Sequence, residues 1–286
     1  MGRKTSADQI VQIAGGAAAV ALAGYLYVSY TYFNETPVGC MDGYARAVRF
    51  SLHNAEGAPL SMIELQARSG REEEGLMQNA RIVDTQSAPM ARVLEVKLGR
   101  ADDTDPQSAV GVNFPWRPDG GQGATSACLR YSVRLPEGIE LPTGGLLPGL
   151  FGGVTPDRVA QAGEAGFALR TRWNKDGETQ LVAEAKAVAE NGRLVVGPPR
   201  PVRLARGRWV TLEQELKLNT PGASDGAVHV WLDGEKVIEK TGLQLREDDK
   251  IGVDGVAVTI GLAGKAPDVP ASEATLQITP IDYGWK

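Results

Sequence analysis

The side chains that could move a proton in this sequence are Tyr131, Lys175, His53 and His229, and those placed to hold a carboxylate are Arg170 and Arg172. General acid–base catalysis draws on tyrosine, lysine and histidine, whereas the planar fork of arginine fits a carboxylate in two-point contact. Spacing qualifies each candidate. His229 is out of phase with Val228 and Val230, which reads as an exposed structural histidine on a strand. His53 closes the run Leu52-His53-Asn54 and has the same reading. Arg170 and Arg172 alternate with Leu169 and Thr171 and so share one strand face, where pairing with Glu184 or Glu178 across strands competes with ligand binding. Two cysteines and two histidines in the whole chain cannot build a zinc or iron–sulfur site, and there is no C-x-x-C-H sequence for haem. No metal and no cofactor is expected.

The elements that must position these residues read as strands. Arg46 to Leu52, Arg92 to Leu98 and Leu129 to Leu135 alternate apolar and polar residues. Gly166 to Trp173, Thr179 to Ala185, Trp209 to Leu218, Ala227 to Leu232 and Val256 to Leu262 follow. Asp176-Gly177, Asn191-Gly192, Asp225-Gly226 and Asp233-Gly234 supply hairpin turns between such runs. With 35 Gly and 17 Pro among 286 residues, turns outnumber long helices. Only Pro156 to Gly163 and Ala183 to Asn191 hint at helix, Asp102 to Gly123 reads as a long surface loop, and Gly70 to Gly75 reads as a solvated turn. The expected fold class is all-β, a sandwich or jelly roll. A net charge of −5 argues against a nucleic-acid partner, which would require a basic face.

The N-terminus follows a different pattern. Between Asp8 and Glu35 lie 26 consecutive uncharged residues. As a helix, residues 10–33 would extend roughly 36 Å, enough to cross a bilayer. Arg3 and Lys4 precede the span and tyrosines crowd its far end, so residues 1–9 are expected in the cytoplasm and the remainder in the periplasm. A cleavable signal ending near Ala21-Leu22-Ala23 is the competing reading, and it also exports the chain. Gly15, Ala19 and Ala23 recur every four residues, a small-residue face suited to docking against another membrane helix. Residues 34–44 read as a linker and 45–286 as the exported sandwich. Export favours a disulfide between Cys40 and Cys128, with two free thiols as the alternative.

From Gly144 the sequence resembles a known family. Gly144-Gly145-Leu146-Leu147-Pro148-Gly149-Leu150-Phe151-Gly152-Gly153 is similar to the "GGKLPGLxGG" segment of the family 14 polysaccharide lyases, which act on alginate and glucuronan. Phe167-Ala168-Leu169-Arg170-Thr171-Arg172-Trp173 is similar to their "FSxRxxW" strand. Gly207-Arg208-Trp209, Leu218 to Gly222, Asp225-Gly226 and Trp231 to Gly234 continue the likeness, which runs from about Ala91 to Tyr283. The resemblance implies a concanavalin-like jelly roll of two antiparallel sheets, here preceded by a single transmembrane helix. It also implies a site on the concave sheet in which lysine, serine, arginine and tyrosine or histidine carry out β-elimination on a uronate chain.

At the matching positions the reactive types are missing. The family's lysine is Leu146 and its serine is Ala168, while Arg170 remains. The Tyr-x-Tyr pair falls on Val182 and Glu184, and the aromatic strand near the end becomes Val258 to Gly264. Each lost acid–base group costs roughly 10²–10⁴-fold in rate. The reading is therefore a degenerate lyase with no catalytic residues, serving as an accessory subunit of an inner-membrane complex of respiratory or photosynthetic type. Its partners would be other transmembrane subunits. The alternatives are a binding module for acidic polysaccharide and a divergent lyase with a rearranged site.

Overall fold

Side chains on a strand point alternately to opposite faces, so a run such as Arg92-Val93-Leu94-Glu95-Val96 can bury one face and wet the other. Two sheets built on that rule account for most of the fold. The computed structural model describes residues 20–25, 39–86, 89–98, 111–137, 144–154, 165–262 and 274–286. The chain divides into residues 1–38 and 39–286.

In the first unit residues 20–25 are helical, with Val20, Leu22, Ala23 and Tyr25 exposed. Among the described residues no helix is long and apolar enough to cross a membrane. Most of the expected 10–33 span, including Gly15 and Ala19, lies outside the described residues.

In the second unit one sheet has the order β12 (Glu235–Leu243), β11 (Gly226–Leu232), β10 (Trp209–Lys217), β5 (Ser126–Arg134), β14 (Ala274–Ile278), β3 (Arg92–Leu98) and β2 (Ala80–Asp84). In addition, β15 (Ile281–Trp285) pairs with β5 and carries β1 (Arg46–Phe50) on its other side. The other sheet has the order β4 (Gly111–Trp116), β13 (Gly255–Leu262), β6 (Gly145–Gly153), β7 (Gly166–Trp173), β8 (Thr179–Ala185) and β9 (Arg193–Val196). All the named pairs are antiparallel. Leu129, Tyr131, Leu212 and Leu216 from one sheet join Phe114, Phe167, Leu169 and Val258 from the other in one core. Full burial of side chains such as Phe167 and Leu169 contributes about 1.5–3 kcal/mol each.

Several expectations change on contact with the structure. Ala183 to Asn191 is not helical: β8 continues to Ala185 and the chain then turns into β9. The stretch read as a loop from Asp102 to Gly123 contains β4. Gly111, Asn113 and Pro115 hide that strand from pattern reading, yet β4 is an edge strand paired with β13 and bridged on its other side only at Asn113, by Glu74, so a proline without its N–H is tolerated. A helix at Met62–Ser69 was also missed, although Ser61 and Glu64 form a full capping box. The hinted helix at Pro156 to Gly163 lies outside the described residues. Residues 45–84 complete the nine-stranded sheet through β1 and β2.

Gly39 to Tyr44, read as part of a linker, packs on the outer face of that sheet. Cys40 and Cys128 form a disulfide with Cα atoms 5.9 Å apart, closing a separation of 88 residues. Beside it the buried Glu213 accepts the backbone N–H of Cys40 at 2.7 Å and of Met41 at 2.9 Å. Tyr44 donates its hydroxyl to Glu215 at 3.1 Å.

Candidate functional site

Two of the family-like segments, Gly144 to Gly153 and Phe167 to Trp173, pair side by side in the six-stranded sheet. Its middle strand β6 breaks register between Leu146 and Gly149, and such a bulge leaves backbone groups without sheet partners. Two core side chains supply them. Tyr131 donates its hydroxyl to the carbonyl of Pro148 at 3.1 Å, and Gln214 Oε1 accepts the N–H of Leu150 at 2.9 Å. Tyr131 is therefore a buried structural donor, and burial pushes its hydroxyl pKa well above the ordinary tyrosine value. The glycines are there for closeness. A Cβ on Gly149 would stand 1.7 Å from the carbonyl oxygen of Leu169, and one on Gly145 would stand 2.0 Å from the Trp173 ring.

Pairing then fixes the face. Arg170 lies opposite Gly149 on one side and Val182 on the other, and Ala168 lies between Phe151 and Glu184. Leu146 flanks Arg172, which faces Gln180. The four positions at which the sequence reading expects lost family residues thus lie around Arg170 and Arg172. Val182 and Ala168 are buried, and Phe151, Ala168 and Ala257 form a small apolar cluster of their own.

The charges are unevenly matched. Arg170 and Glu184 form a direct ion pair in which each side chain keeps only 10% of its exposure. Arg193, opposite Glu184 on β9, comes within 3.4 Å of the same carboxylate. Arg172 donates to Gln180 at 2.9 Å. Burial, and secondarily the positive charge of Arg193, lowers the pKa of Arg172. Across the apolar cluster the Arg117 guanidinium stacks 4.9 Å from the centre of the Phe151 ring. Four arginines therefore bear on a face whose strands point one carboxylate outward.

Chemically this face can hold anions. β-Elimination needs a base for the C5 proton and an acid for the leaving oxygen, and none of the outward side chains of the described strands in this sheet is lysine, tyrosine or histidine. The remaining sequence candidates are elsewhere. Lys175 lies in the β7–β8 turn and is exposed, and His53 is exposed beside Ser51. His229 lies on the nine-stranded sheet, 3.1 Å from Glu215 and 3.7 Å from Glu239. Glu178 bonds Asn174 rather than an arginine. Among the described residues only Cys40, Cys128 and Glu213 bring three possible metal-ligand atoms together. Both sulfurs are consumed by the disulfide, and Glu213 is occupied by two N–H groups.

Sequence reasoning missed Arg193 and Arg117. Arg193 was accessible in principle, since Asn191-Gly192 marks a hairpin that returns the chain beside Glu184. Arg117 follows Pro115 and Trp116 in a stretch with no readable period, so nothing in the sequence places it over Phe151.

Comparison with known proteins agrees with this geometry. No curated protein matches the chain. Solved structures with the same fold include the marine alginate lyase of Aplysia kurodai, at 18% identity and TM-score 0.64, covering 85% of this chain and 99% of that one. The alginate lyase vAL-1 from Chlorella virus matches at 16% identity and TM-score 0.62, covering 84% and 100%. The endo-β-1,4-glucuronan lyase of the fungus Trichoderma reesei matches at 12% identity and TM-score 0.51, covering 87% and 93%. Residues 86–275 match the family described as Polysaccharide lyase 14, about two thirds of the chain. The chain belongs to the polysaccharide lyase 14 family.

Proposed function

We propose that this protein is a non-cleaving member of the family that uses the arginine-bearing face of its six-stranded sheet to hold an acidic polysaccharide. The observation that carries the reading is Glu184, which neutralises Arg170 in the centre of the face while Leu146, Ala168 and Val182 occupy the positions around it. With Arg170 neutralised by that carboxylate, sugar acids are met instead by Arg172, Arg193 and Arg117. The family relationship and the alginate and glucuronan lyases of like fold favour a polysaccharide ligand over a purely structural brace in a membrane assembly. A divergent lyase is the second reading, favoured by the family match across this sheet.

We also propose that residues 10–33 hold the domain at the inner membrane on its periplasmic side. The Cys40–Cys128 disulfide supports export to an oxidising compartment. The test of function pairs retention on immobilised alginate and glucuronan with ultraviolet detection of unsaturated sugar ends. Retention without product supports holding; product on any uronan replaces it with the lyase reading.

A further inference from the structure

A second group of arginines stands beside this face, and two of them lie in chain that the family match does not include. β1 and the end of the Met62–Ser69 helix precede residue 86, where that match begins. Together with β4 and the residues after it they line an open surface cavity of about 470 Å³. Its lining includes Arg49, Arg68 and Arg117, together with Phe50, Pro115, Trp116 and one acid, Asp119. Arg49 is committed to Asp282 at 2.6 Å. Arg68 is exposed and donates only to backbone, to the carbonyl of Ser51 at 2.7 Å and more weakly to that of His53 at 3.5 Å. Arg117 meets Glu72 only at 3.9 Å, and that glutamate is itself 61% exposed. Arg117 thus has only this long contact, and the charge of Arg68 bears on Glu64 without a direct ion pair, so both guanidiniums are more loosely held than Arg49.

Arg117 belongs to both places. It lines this cavity, and it stacks on Phe151 in the apolar cluster beside Arg170. Pro115 also lines the cavity while pairing with Ala257 of that cluster. The cavity is thus a lateral continuation of the face across the β4 edge. From β9 to β4 the six strands make five steps, about 24 Å at about 4.8 Å each.

Resting on the polysaccharide reading above, we propose that the binding surface is a continuous polyanion track. It runs from Arg193 and Arg172 across the sheet to Arg117 and ends at Arg68 in the groove built by residues 48–50 and 68–70. The ligand class is a carboxylated polymer rather than a short oligosaccharide. Guanidinium groups spaced along such a track suit the carboxylates carried at the edges of successive uronates. A short fragment fills only the sheet half, and the groove acts when the chain is long enough to turn the β4 edge.

The experiment measures binding of the full chain to alginate trisaccharide and to polymeric alginate at low salt, for the native protein, Arg68→Ala, Arg68→Glu and Arg172→Ala. Thermal melting establishes that each variant is folded. The track predicts that Arg68→Ala weakens polymer binding about threefold to tenfold, that Arg68→Glu weakens it further, and that trisaccharide binding is unchanged by either. Polymer binding untouched at Arg68 but weakened by Arg172→Ala overturns the track and leaves the sheet-face reading standing. Equal losses for trisaccharide and polymer at Arg68 overturn continuity, because the groove is then a site by itself. No binding of either probe by the native protein overturns the sheet-face reading and the track with it.

Discussion

Glu184 and Arg170 reach each other diagonally across neighbouring strands of the six-stranded sheet and close a nearly buried ion pair where the family's proton-handling groups would be expected. This arrangement has two consequences. The arginine is held in place without ligand, and the centre of the face carries no positive charge for a uronate to find.

The first prediction follows from removing that carboxylate. Glu184→Gln frees Arg170 and raises affinity for polyuronate about tenfold, or about 1.4 kcal/mol, through the attraction of the unpaired guanidinium. Breaking a buried pair also costs about 3 kcal/mol of stability. Denaturation midpoint and binding isotherm should therefore move in opposite directions, and a variant that binds no better removes the electrostatic argument.

Binding through Arg172, Arg193 and Arg117 is predicted to depend on salt. These groups are partly exposed, so their attraction is screened within about 8–10 Å at physiological ionic strength. Retention on alginate should fall steadily as sodium chloride rises from about 0.05 to about 0.5 M. Retention insensitive to salt points to apolar contacts instead.

The disulfide makes a third prediction. Closing a separation of 88 residues contributes about 4–5 kcal/mol by the loop-entropy argument. Reduction, or Cys128→Ser, should lower the melting temperature of the folded domain by several degrees or more. It should also free the Gly39–Tyr44 segment, detectable as faster amide exchange at Cys40 and Met41, whose N–H groups now bond Glu213.

How much of this was legible in the sequence follows physical lines. Strands that alternate strongly, such as β3, β7 and β8, are readable to within a residue or so, and the positions of Leu146, Ala168, Val182 and Glu184 around Arg170 follow from the family-like segments once their register is known. Strands whose composition opposes β structure were not readable. β4 contains Gly111 and Pro115, and β6 is dominated by glycines chosen for closeness to Leu169 and Trp173 rather than for strand propensity. Arg117 and the Arg68 groove arise from contacts between distant segments, for which a single sequence carries no local signal. Tyr131 shows the opposite hazard: its chemistry looked available, and its hydroxyl is spent on the Pro148 carbonyl.

A fourth prediction concerns acid. The hydrogen bond from His229, ahead of the charge of Lys217 and the bond from Tyr44, holds the Glu215 carboxyl below its usual pKa despite opposing burial. A carboxyl depressed in the folded state adds stability above its unfolded pKa, near 4.3, and loses it as pH falls through the lower folded value. Stability should drop on acidification below about pH 4.5, and Glu215→Gln should flatten that part of the curve. An unchanged slope separates the Tyr44–Glu215–His229 contacts from acid sensitivity.

The most direct test of the central claim is a single column experiment with two readouts. The protein is passed over immobilised alginate, and the eluate is followed by absorbance of unsaturated uronate ends. The account predicts retention of the protein with no rise in absorbance, and retention lost in the Arg172→Ala, Arg193→Ala double variant. A steady rise in absorbance that disappears with Arg170→Ala would contradict it and make this face a working lyase site.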